Sequence, residues 1–362
     1  MHIVSIVGAR PQFIKAAVVS RALRARRGVV DRLVHTGQHY DANMSAVFFE
    51  ELAIPPPDCN LAIGSGPHGA QTGQMLAAIE QVLVADRPDW VLVYGDTNST
   101  LAGALAAAKL GVPVAHVEAG LRSFKRTMPE EINRVLSDHA ADLLFAPTRT
   151  AAGHLRTEGI ADGRVHLVGD VMFDAARFYA DRAAQRSRVL ERVGVEPKRY
   201  VLATVHRAEN TDDAGRLLAL FDGLFLVAQE LPVVVPLHPR TRAALARAGV
   251  LDRFCRALTL IDPLGYLDMV MLERFAGVIA TDSGGVQKEA FFYEVPCVIL
   301  RNETEWVELV ELGWGRLQPP DSPAAVAAAI GAALHTRGQA AAPYGDAQAG
   351  VRIATVLEAS AG

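Results

Sequence analysis

The sequence predicts an α/β protein built from two doubly wound parallel sheets, and three observations support this fold class. Apolar residues make up 50% of the 362 residues and charged residues 21%, the balance of a globular protein long enough for about two domains. Short apolar, β-branched runs alternate with helix-length segments. The runs are apolar on both faces and fall into two series, as buried parallel strands of βαβ units do. We therefore expect two Rossmann-like domains that face each other across a cleft.

Eleven runs are predicted as strands. The first series comprises residues 2–7, 32–36, 90–95, 112–118, 143–147 and 164–169, and the second comprises 200–205, 232–237, 258–261, 277–281 and 296–301. Helices fill the intervals, and the Ala-rich stretches 101–111 and 324–334 are predicted as packed helices because they are too short to span a bilayer. We expect the domain boundary after Asp170, which separates 1–170 from 171–346. The tail, from about 347 to 362, contains a short amphipathic helix that can pack on either domain.

Composition excludes several classes of function. A formal net charge of −4 gives no reason to expect nucleic acid or an anionic membrane as a partner. The three cysteines are far apart and form no CxxC pair, so neither a disulfide scaffold nor a zinc ribbon is expected. With no basic leader and no apolar stretch of membrane-spanning length, the chain is expected to be cytoplasmic.

Polar side chains just past the ends of the predicted strands are the candidate functional residues. Ligands of open α/β sheets bind at the carboxyl edge of the strands, so two facing domains would bring these side chains around one cleft. The strand-end residues are Arg10, Asp96, Glu118, His206, His238 and Ser283.

The segment GARPQFIK (8–15) predicts an anion site in the first domain. It follows the first strand and opens a helix, and Arg10 and Lys15 lie on either side of the turn. A helix N-terminus with two cations suits a pyrophosphate. The alternative is a solvated basic turn.

The segment TDSGGVQKE (281–289) predicts a second phosphate site. Ser283 can cap the helix, and Gly284 and Gly285 allow backbone N–H groups to approach a phosphate closely. Glu289 is placed to accept hydrogen bonds from a ribose diol. The alternative is an N-cap serine with two turn glycines. His238 is a third polar residue at a strand end, and the alternative is that it is a structural histidine.

Three carboxylates and a histidine are the candidates for acid–base chemistry. Asp96 is otherwise the N-cap of the next helix, and Glu130 otherwise closes a T-x-x-E capping box with Thr127. Glu118 ends an apolar strand, where a carboxylate has no capping task. His206 leaves a buried strand next to Arg207 and Glu209 and is either structurally paired or an acid–base group.

The sequence lacks the motifs that are typical of several other kinds of functional site. There is no GxGxxG after a strand and no GxxxxGK[ST], so neither a nicotinamide cofactor nor a P-loop is expected. There is no HExxH or other cluster at ligand spacing, so no metal is expected, and the absence of GxSxG argues against a serine hydrolase.

Eight motifs together resemble those of the non-hydrolysing UDP-N-acetylglucosamine 2-epimerases. The resemblance runs roughly from Ile3 to Leu317, and the motifs occur in the family's order: GARPQFIK, HTGQHYD, YGDTNST, HVEAGLRS, MPEEINR, ATVHRAEN, PLHPR and TDSGGVQKEA. It implies a fold of the GT-B type, with the terminal helix crossing back to the first domain and UDP bound by the second. It also implies a homodimer that needs no cofactor and makes precursors of cell-surface polysaccharides.

The resemblance also assigns roles to the candidate residues. Arg10 and Lys15 match positions on the nucleotide diphosphate side, and His238 matches a position near the nucleotide. Phosphate is assigned to Ser283, Gly284 and Gly285, and the ribose hydroxyls to Glu289. The catalytic positions are Asp96, Glu118, Glu130 and His206.

The family's chemistry explains these groups. The C2 proton of an N-acetylhexosamine is not adjacent to a carbonyl, and loss of UDP from C1 acidifies it. The family is understood to eliminate UDP, giving a 2-acetamidoglucal, and to add UDP back with inversion at C2, which interconverts UDP-GlcNAc and UDP-ManNAc. Cations on the departing diphosphate and acid–base groups on both faces of C2 serve this reaction.

Two departures from the family pattern leave regulation and substrate open. Gln38-His39-Tyr40 differs from several relatives in a segment that contributes to a regulatory UDP-GlcNAc site. Trp306 replaces an arginine near the nucleotide and, with QKEAFFY upstream, also resembles epimerases of UDP-2,3-diacetamido-2,3-dideoxyglucuronate. A GT-B glycosyltransferase, a hydrolase of UDP-GlcNAc and a non-catalytic nucleotide-sugar sensor also remain open as functions.

Overall fold

The computed structural model describes residues 1–38, 49, 53–54 and 56–360, which form two compact units. The first unit comprises residues 1–175 and the C-terminal stretch from Ala342, and the second comprises Ala176–Ala341. Each unit contains one sheet in which all strand pairs are parallel.

The sheet of the first unit has seven strands in the order β3-β2-β1-β4-β5-β6-β7. Their bounds are β1 His2–Val7, β2 Val30–His35, β3 Cys59–Asn60, β4 Trp90–Tyr94, β5 Val114–Val117, β6 Leu143–Ala146 and β7 Val165–Leu167. The order reverses beside β1, where Ile6 pairs with Val34 on one side and with Val93 on the other. Such a reversal opens a crevice at the carboxyl edge of the strands.

The sheet of the second unit repeats this arrangement with the order β10-β9-β8-β11-β12-β13. Its strands are β8 Val201–Thr204, β9 Val233–Pro236, β10 Thr259–Ile261, β11 Val278–Thr281, β12 Cys297–Ile299 and β13 Gly315–Leu317. The fold class and all eleven predicted strands are confirmed, with ends that differ by one or two residues. The sequence analysis missed β3, which is two residues long, and β13, because a glycine and Arg316 interrupt its apolar pattern.

Helices join successive strands, as predicted. In the first unit they are Arg10–Arg24, His68–Asp86, Asn98–Lys109, Pro129–Ala140, Arg149–Thr157 and Ala349–Ala359. Val171–Arg186 continues into the second unit, which adds Val189–Val193, Ala208–Thr211, Ala214–Val227, Pro239–Arg247, Leu251–Cys255, Tyr266–Phe275, Gly284–Phe292, Val307–Glu311 and Pro323–Ala333. Both Ala-rich stretches are packed helices: Ala102 and Ala106 lie in the first core, and Ala329 in the second. No helix in the described ranges is both long and apolar enough to cross a membrane.

The C-terminal helix Ala349–Ala359 packs on the helix Arg10–Arg24 within the first unit. Gly350 allows this approach, because a β-carbon there would lie 3.0 Å from a methyl carbon of Val18. The Asp174 carboxylate accepts hydrogen bonds from the backbone N–H groups of Ala349 at 3.1 Å and Gly350 at 2.9 Å. The start of the C-terminal helix is thereby satisfied by a side chain of the helix Val171–Arg186.

Candidate active site

The carboxyl edge of the first sheet holds a buried ion pair between two predicted site residues. Glu118 directly follows β5, and its carboxylate contacts the Lys15 ammonium on the helix after β1. The two side chains are only 7% and 12% exposed. Gly95, after β4, borders the pair: a β-carbon there would lie 3.1 Å from Lys15 Nζ and 3.3 Å from Glu118 Oε2. Three adjacent strands therefore place one cation and one carboxylate at the point where the strand order reverses.

Glu118 adopts a backbone conformation that a side chain rarely takes. Its φ of 71° is left-handed, and its N–H and that of Ala119 both donate to the carbonyl of Phe145. A non-glycine residue in this region costs about 1–2 kcal/mol, and such costs concentrate at functional sites. Glu118 adopts this conformation at the strand end, where its carboxylate contacts Lys15.

Asp96 forms a second ion pair at the same edge, with a residue that the sequence analysis missed. Its carboxylate lies 2.5 Å from Arg134 on the helix Pro129–Ala140, and Arg134 also binds Glu131 at 3.0 Å. The alternative prediction that Asp96 caps the next helix is wrong, because Thr97 is the N-cap and accepts from the Thr100 N–H. Burial lowers the pKa of Arg134, but the two carboxylates outweigh it and raise the pKa, so Arg134 stays charged.

Glu130 does not join these pairs. It is exposed at the second position of the helix Pro129–Ala140, and within the described residues its carboxylate has no hydrogen bond or ion pair. The predicted Thr127–Glu130 capping box is also wrong, since Met128 is the N-cap residue. The neighbouring Glu131 is the structural carboxylate, and it accepts from the N–H groups of Ser123 at 2.9 Å and Phe124 at 2.8 Å.

At the helix start at Arg10, an anion can be bound by side-chain cations rather than by free backbone N–H groups. Gln12 Oε1 already accepts from the N–H groups of Gly8 at 2.8 Å and Ala9 at 3.0 Å, and the Gln12 N–H donates to the Ala9 carbonyl. Pro11 has no N–H. The half-buried Arg10 and Lys15 therefore carry the positive charge of the predicted anion site.

A buried network missed by the sequence analysis supports the end of β5. His116 lies between Asp138 Oδ1 and the Gly95 carbonyl, each 2.7 Å from a ring nitrogen, and Asp138 also binds Arg122 at 2.7 Å. His116 and Asp138 are fully buried. Burial raises the pKa of Asp138, but His116 and Arg122 outweigh it, so the pKa lies below its ordinary value. The network fixes Gly95, and with it the turn that carries Asp96.

The second sheet presents two histidines at the ends of adjacent strands. The ring centroids of His206, after β8, and His238, after β9, lie 5.7 Å apart. The buried Asp282 orients the first: it accepts from the His206 N–H at 3.0 and 3.1 Å and lies 3.4 Å from ring Nδ1. The sequence analysis missed Asp282, although its position at a strand end, next to the predicted Ser283, could have identified it. The prediction that His206 pairs with a neighbouring charge is thus partly right, with Asp282 as the partner.

His238 has a structural task, in line with the prediction of a structural histidine. It is the N-cap of the helix Pro239–Arg247, and its Nδ1 accepts from the Arg240 N–H at 3.1 Å. Desolvation, with His206 and Arg240 nearby, lowers the pKa of His238. The ring is therefore a neutral acceptor near neutral pH.

Ser283, Gly284 and Gly285 form a helix start suited to phosphate. Ser283 is the N-cap of the helix Gly284–Phe292 and accepts from the Val286 N–H at 3.5 Å, as predicted. Within the described residues the N–H groups of Gly284 and Gly285 have no partner. A β-carbon at Gly285 would meet only Ser283 Oγ, at 3.9 Å, so a ligand can approach the backbone there.

Trp306 lies beside this helix start. Its indole Nε1 would be 3.4 Å from a β-carbon at Gly284, and the Lys288 ammonium lies 4.1 Å from the centre of its ring. Next to it, Glu305 binds Arg301 at 2.9 Å and lies 3.7 Å from Arg207. Burial raises the pKa of Glu305, but the two arginines prevail and lower it to about 2.

Glu289 lies on the buried face of the same helix and is 8% exposed. Tyr266 Oη donates to its Oε1 at 3.4 Å. His39 and Tyr40 lie outside the described residues. Within those residues no group of three or more metal-ligating side chains occurs.

Comparisons with known proteins place this chain in a family. The model of the UDP-N-acetylglucosamine 2-epimerase family matches residues 21–358. The chain belongs to that family. It is 50% identical, over 99% of both chains, to a UDP-2,3-diacetamido-2,3-dideoxy-D-glucuronate 2-epimerase of Pseudomonas aeruginosa, and 43% identical, again over 99% of both, to a UDP-N-acetylglucosamine 2-epimerase of Methanocaldococcus jannaschii.

Solved structures of family members share the fold. The M. jannaschii UDP-GlcNAc 2-epimerase in complex with UDP-GlcNAc and UDP is 42% identical, covers 99% of this chain and 100% of its own, and superposes with a TM-score of 0.91. The Neisseria meningitidis UDP-GlcNAc 2-epimerase bound to UDP-GlcNAc is 27% identical over 99% of this chain and 100% of its own, with a TM-score of 0.88. The expected GT-B-like class of fold is therefore confirmed.

Proposed function

We propose that this epimerase interconverts UDP-GlcNAc and UDP-ManNAc by inverting C2 of the sugar. The observation that carries the proposal is the buried Lys15–Glu118 pair, held at a strand end by a left-handed backbone, in a chain of this family. A neighbouring cation favours the ionised form of a buried carboxyl group, and a carboxyl group accepts a proton only in that form.

The reaction proceeds by elimination and re-addition. A carboxylate takes the C2 proton, the C2–H electron pair forms a C1=C2 double bond, and the C1–O bond breaks so that UDP leaves with its electrons. UDP then adds back to C1, and an acid protonates C2 on the opposite face. No electron is gained or lost overall, so the chemistry requires acid–base groups and a retained diphosphate only.

The residues of the first unit supply acid–base groups and positive charge in this proposal. Asp96, Glu118 and Glu130 take the catalytic positions, and the Asp96 and Glu118 carboxylates are held by Arg134 and Lys15. Arg10 and Lys15 favour the negative charge that develops on the departing diphosphate. The Lys15 ammonium then serves both the carboxylate and the leaving group.

The second unit, in this proposal, is the UDP-binding domain and adds one acid–base group. Phosphate binds to Ser283, Gly284 and Gly285, and the ribose hydroxyls bind to Glu289. His238 lies near the nucleotide, and His206, held by Asp282, is an acid–base candidate. We also propose that the protein is cytoplasmic and that it is a homodimer, and light scattering of the purified protein tests its dimeric state.

A second candidate substrate is UDP-2,3-diacetamido-2,3-dideoxyglucuronate. The specific observation in its favour is the 50% identity to the P. aeruginosa epimerase that carries this substrate in its name. Trp306, which stands where an arginine is usual and lies against Gly284, is the residue at which a difference in substrate is expected to act.

Incubation with each sugar in deuterium oxide, followed by NMR, tests the proposal. Epimerisation of UDP-GlcNAc predicts deuterium at C2 together with UDP-ManNAc, and the same outcome with the diacetamido-uronate alone identifies the second candidate. Release of free sugar indicates hydrolysis, and no reaction of either sugar without an acceptor indicates glycosyl transfer. Glu118→Gln should abolish the exchange, while Glu80→Gln, on the exposed face of the helix His68–Asp86, is the matched control.

A further inference from the structure

A second carboxyl group lies buried behind Glu289. Glu273, on the helix Tyr266–Phe275, is 0% exposed, and within the described residues neither of its carboxyl oxygens has a hydrogen-bond donor. The helices Tyr266–Phe275 and Gly284–Phe292 pack on each other, and Tyr266 of the first helix donates to Glu289 of the second at 3.4 Å. This packing brings the Glu289 carboxyl to the side of Glu273. No described cation forms an ion pair with Glu273, so its charge would be buried without compensation.

Two carboxyl groups in contact require a proton between them. Oxygen atoms of two carboxylates are all acceptors, and they form a hydrogen bond only when one group is protonated. Glu273 is the group without solvent, whereas Glu289 is 8% exposed and already accepts from Tyr266 Oη. The proton therefore belongs on Glu273, and Glu289 remains the anion.

We propose that Glu273 is a positioning residue: a neutral carboxyl that donates a hydrogen bond to Glu289 and fixes this carboxylate as the acceptor for the ribose hydroxyls. The inference rests on the proposed role of Glu289 toward ribose. With Glu273 and Tyr266 as donors, the Glu289 carboxylate is held in one orientation, which favours a substrate with both hydroxyls over a 2′-deoxynucleotide.

The surroundings of the pair favour the neutral form of Glu273. Burial, together with the charge of Glu289, raises the pKa of Glu273 well above its ordinary value. Four other titratable groups that are affected by the charge of Glu273 are neutral side chains whose own pKa values are raised, so these four supply no positive charge. They are Tyr200, Tyr266, Tyr293 and Cys297.

Binding of UDP and of 2′-deoxy-UDP to the purified wild type and its variants tests this role. Titration calorimetry on the wild type should show tighter binding of UDP. Glu273→Leu should weaken UDP binding about tenfold, the range for a lost hydrogen bond to a charged group, and leave 2′-deoxy-UDP binding little changed. Glu273→Gln keeps a donor and should keep the preference, as should the control Glu311→Leu at an exposed helix end.

The outcomes separate this inference from the proposed function. Glu289→Gln should lower the preference for UDP, and an unchanged preference would show that Glu289 does not bind ribose. If Glu289→Gln lowers it and Glu273→Leu does not, the Glu273 proposal alone is wrong. Should Glu273→Leu fail to fold, infrared spectra decide: a protonated-carboxyl band in the wild type that Glu273→Gln lacks supports the proposal, and absence of the band overturns it.

Discussion

The buried Lys15–Glu118 pair predicts a specific pattern of stabilities in a double-mutant cycle. The perturbations are Lys15→Met, Glu118→Gln and the double variant. Lys15→Met leaves the Glu118 carboxylate without its ammonium, and Glu118→Gln leaves the ammonium facing a neutral amide. Both side chains are nearly buried, at 12% and 7% exposed, so solvent compensates little for either lost partner.

The expected magnitude follows from this burial. Removing one partner of a buried ion pair costs about 3–5 kcal/mol, so each single variant should lose about 3 kcal/mol of unfolding free energy. The double variant buries neither charge, and it should be no less stable than either single variant. The two single effects then fail to add, with a coupling energy of at least about 3 kcal/mol.

Urea denaturation followed by circular dichroism is the assay, with the slope against urea compared between variants to check that the transition is the same. The control is Arg199→Met, which removes the cation from an exposed pair with Glu196, at 3.0 Å and over 70% exposed on both sides. It should cost less than about 1 kcal/mol. Additive losses at Lys15 and Glu118, or single losses as small as that of the control, would refute the reasoning.

Two further predictions concern backbone geometry and pH. Gly120→Ala should lower the free energy of unfolding in urea by more than Gly111→Ala does. Both glycines have a left-handed φ (83° and 69°), but only at Gly120 would a β-carbon clash with the backbone, since it would lie 2.3 Å from the Ala151 carbonyl oxygen. Equal losses in the two variants would contradict this. Burial raises the pKa of Glu305, but Arg301 and Arg207 outweigh it and lower the pKa from 4.5 to about 2. The folding stability that the ionised Glu305 contributes is therefore full above pH 4.5 and is lost as the pH falls toward 2. The gap in stability between wild type and Glu305→Gln, about 3 kcal/mol at neutral pH, should therefore close over that range, and a gap independent of pH would contradict the assignment.

Much of the fold could be predicted from the sequence because parallel strands buried on both faces carry a continuous apolar signal. The runs that became β1, β4 and β5 are of this kind, and the same signal placed Asp96 and Glu118 at one edge. Short strands carry too few residues for such a signal, as β3 shows. Helix starts were less predictable: Asp96 and Thr97 both fit an N-cap, and the hydroxyl of Thr97, not the carboxylate, accepts the helix amide.

Side-chain partners within the site could not be predicted, because the sequence places residues at an edge without fixing which of them meet. Lys15 and Glu118 are 103 positions apart, and their contact depends on the left-handed backbone of Glu118. Arg134 reaches Asp96 from a helix whose pattern shows only an amphipathic surface. Glu273 has the pattern of an ordinary helical glutamate until the fold buries it.

Cleavage of the C1–O bond is the central step of the proposed reaction, and positional isotope exchange measures it directly. UDP-GlcNAc with a heavy-oxygen label in the bridge between C1 and the β-phosphorus is incubated with the enzyme and recovered. Elimination predicts that the label moves into the non-bridging positions of the β-phosphate while C2 acquires deuterium from the solvent. Formation of UDP-ManNAc with the label still confined to the bridge would contradict departure of UDP and with it the proposed mechanism.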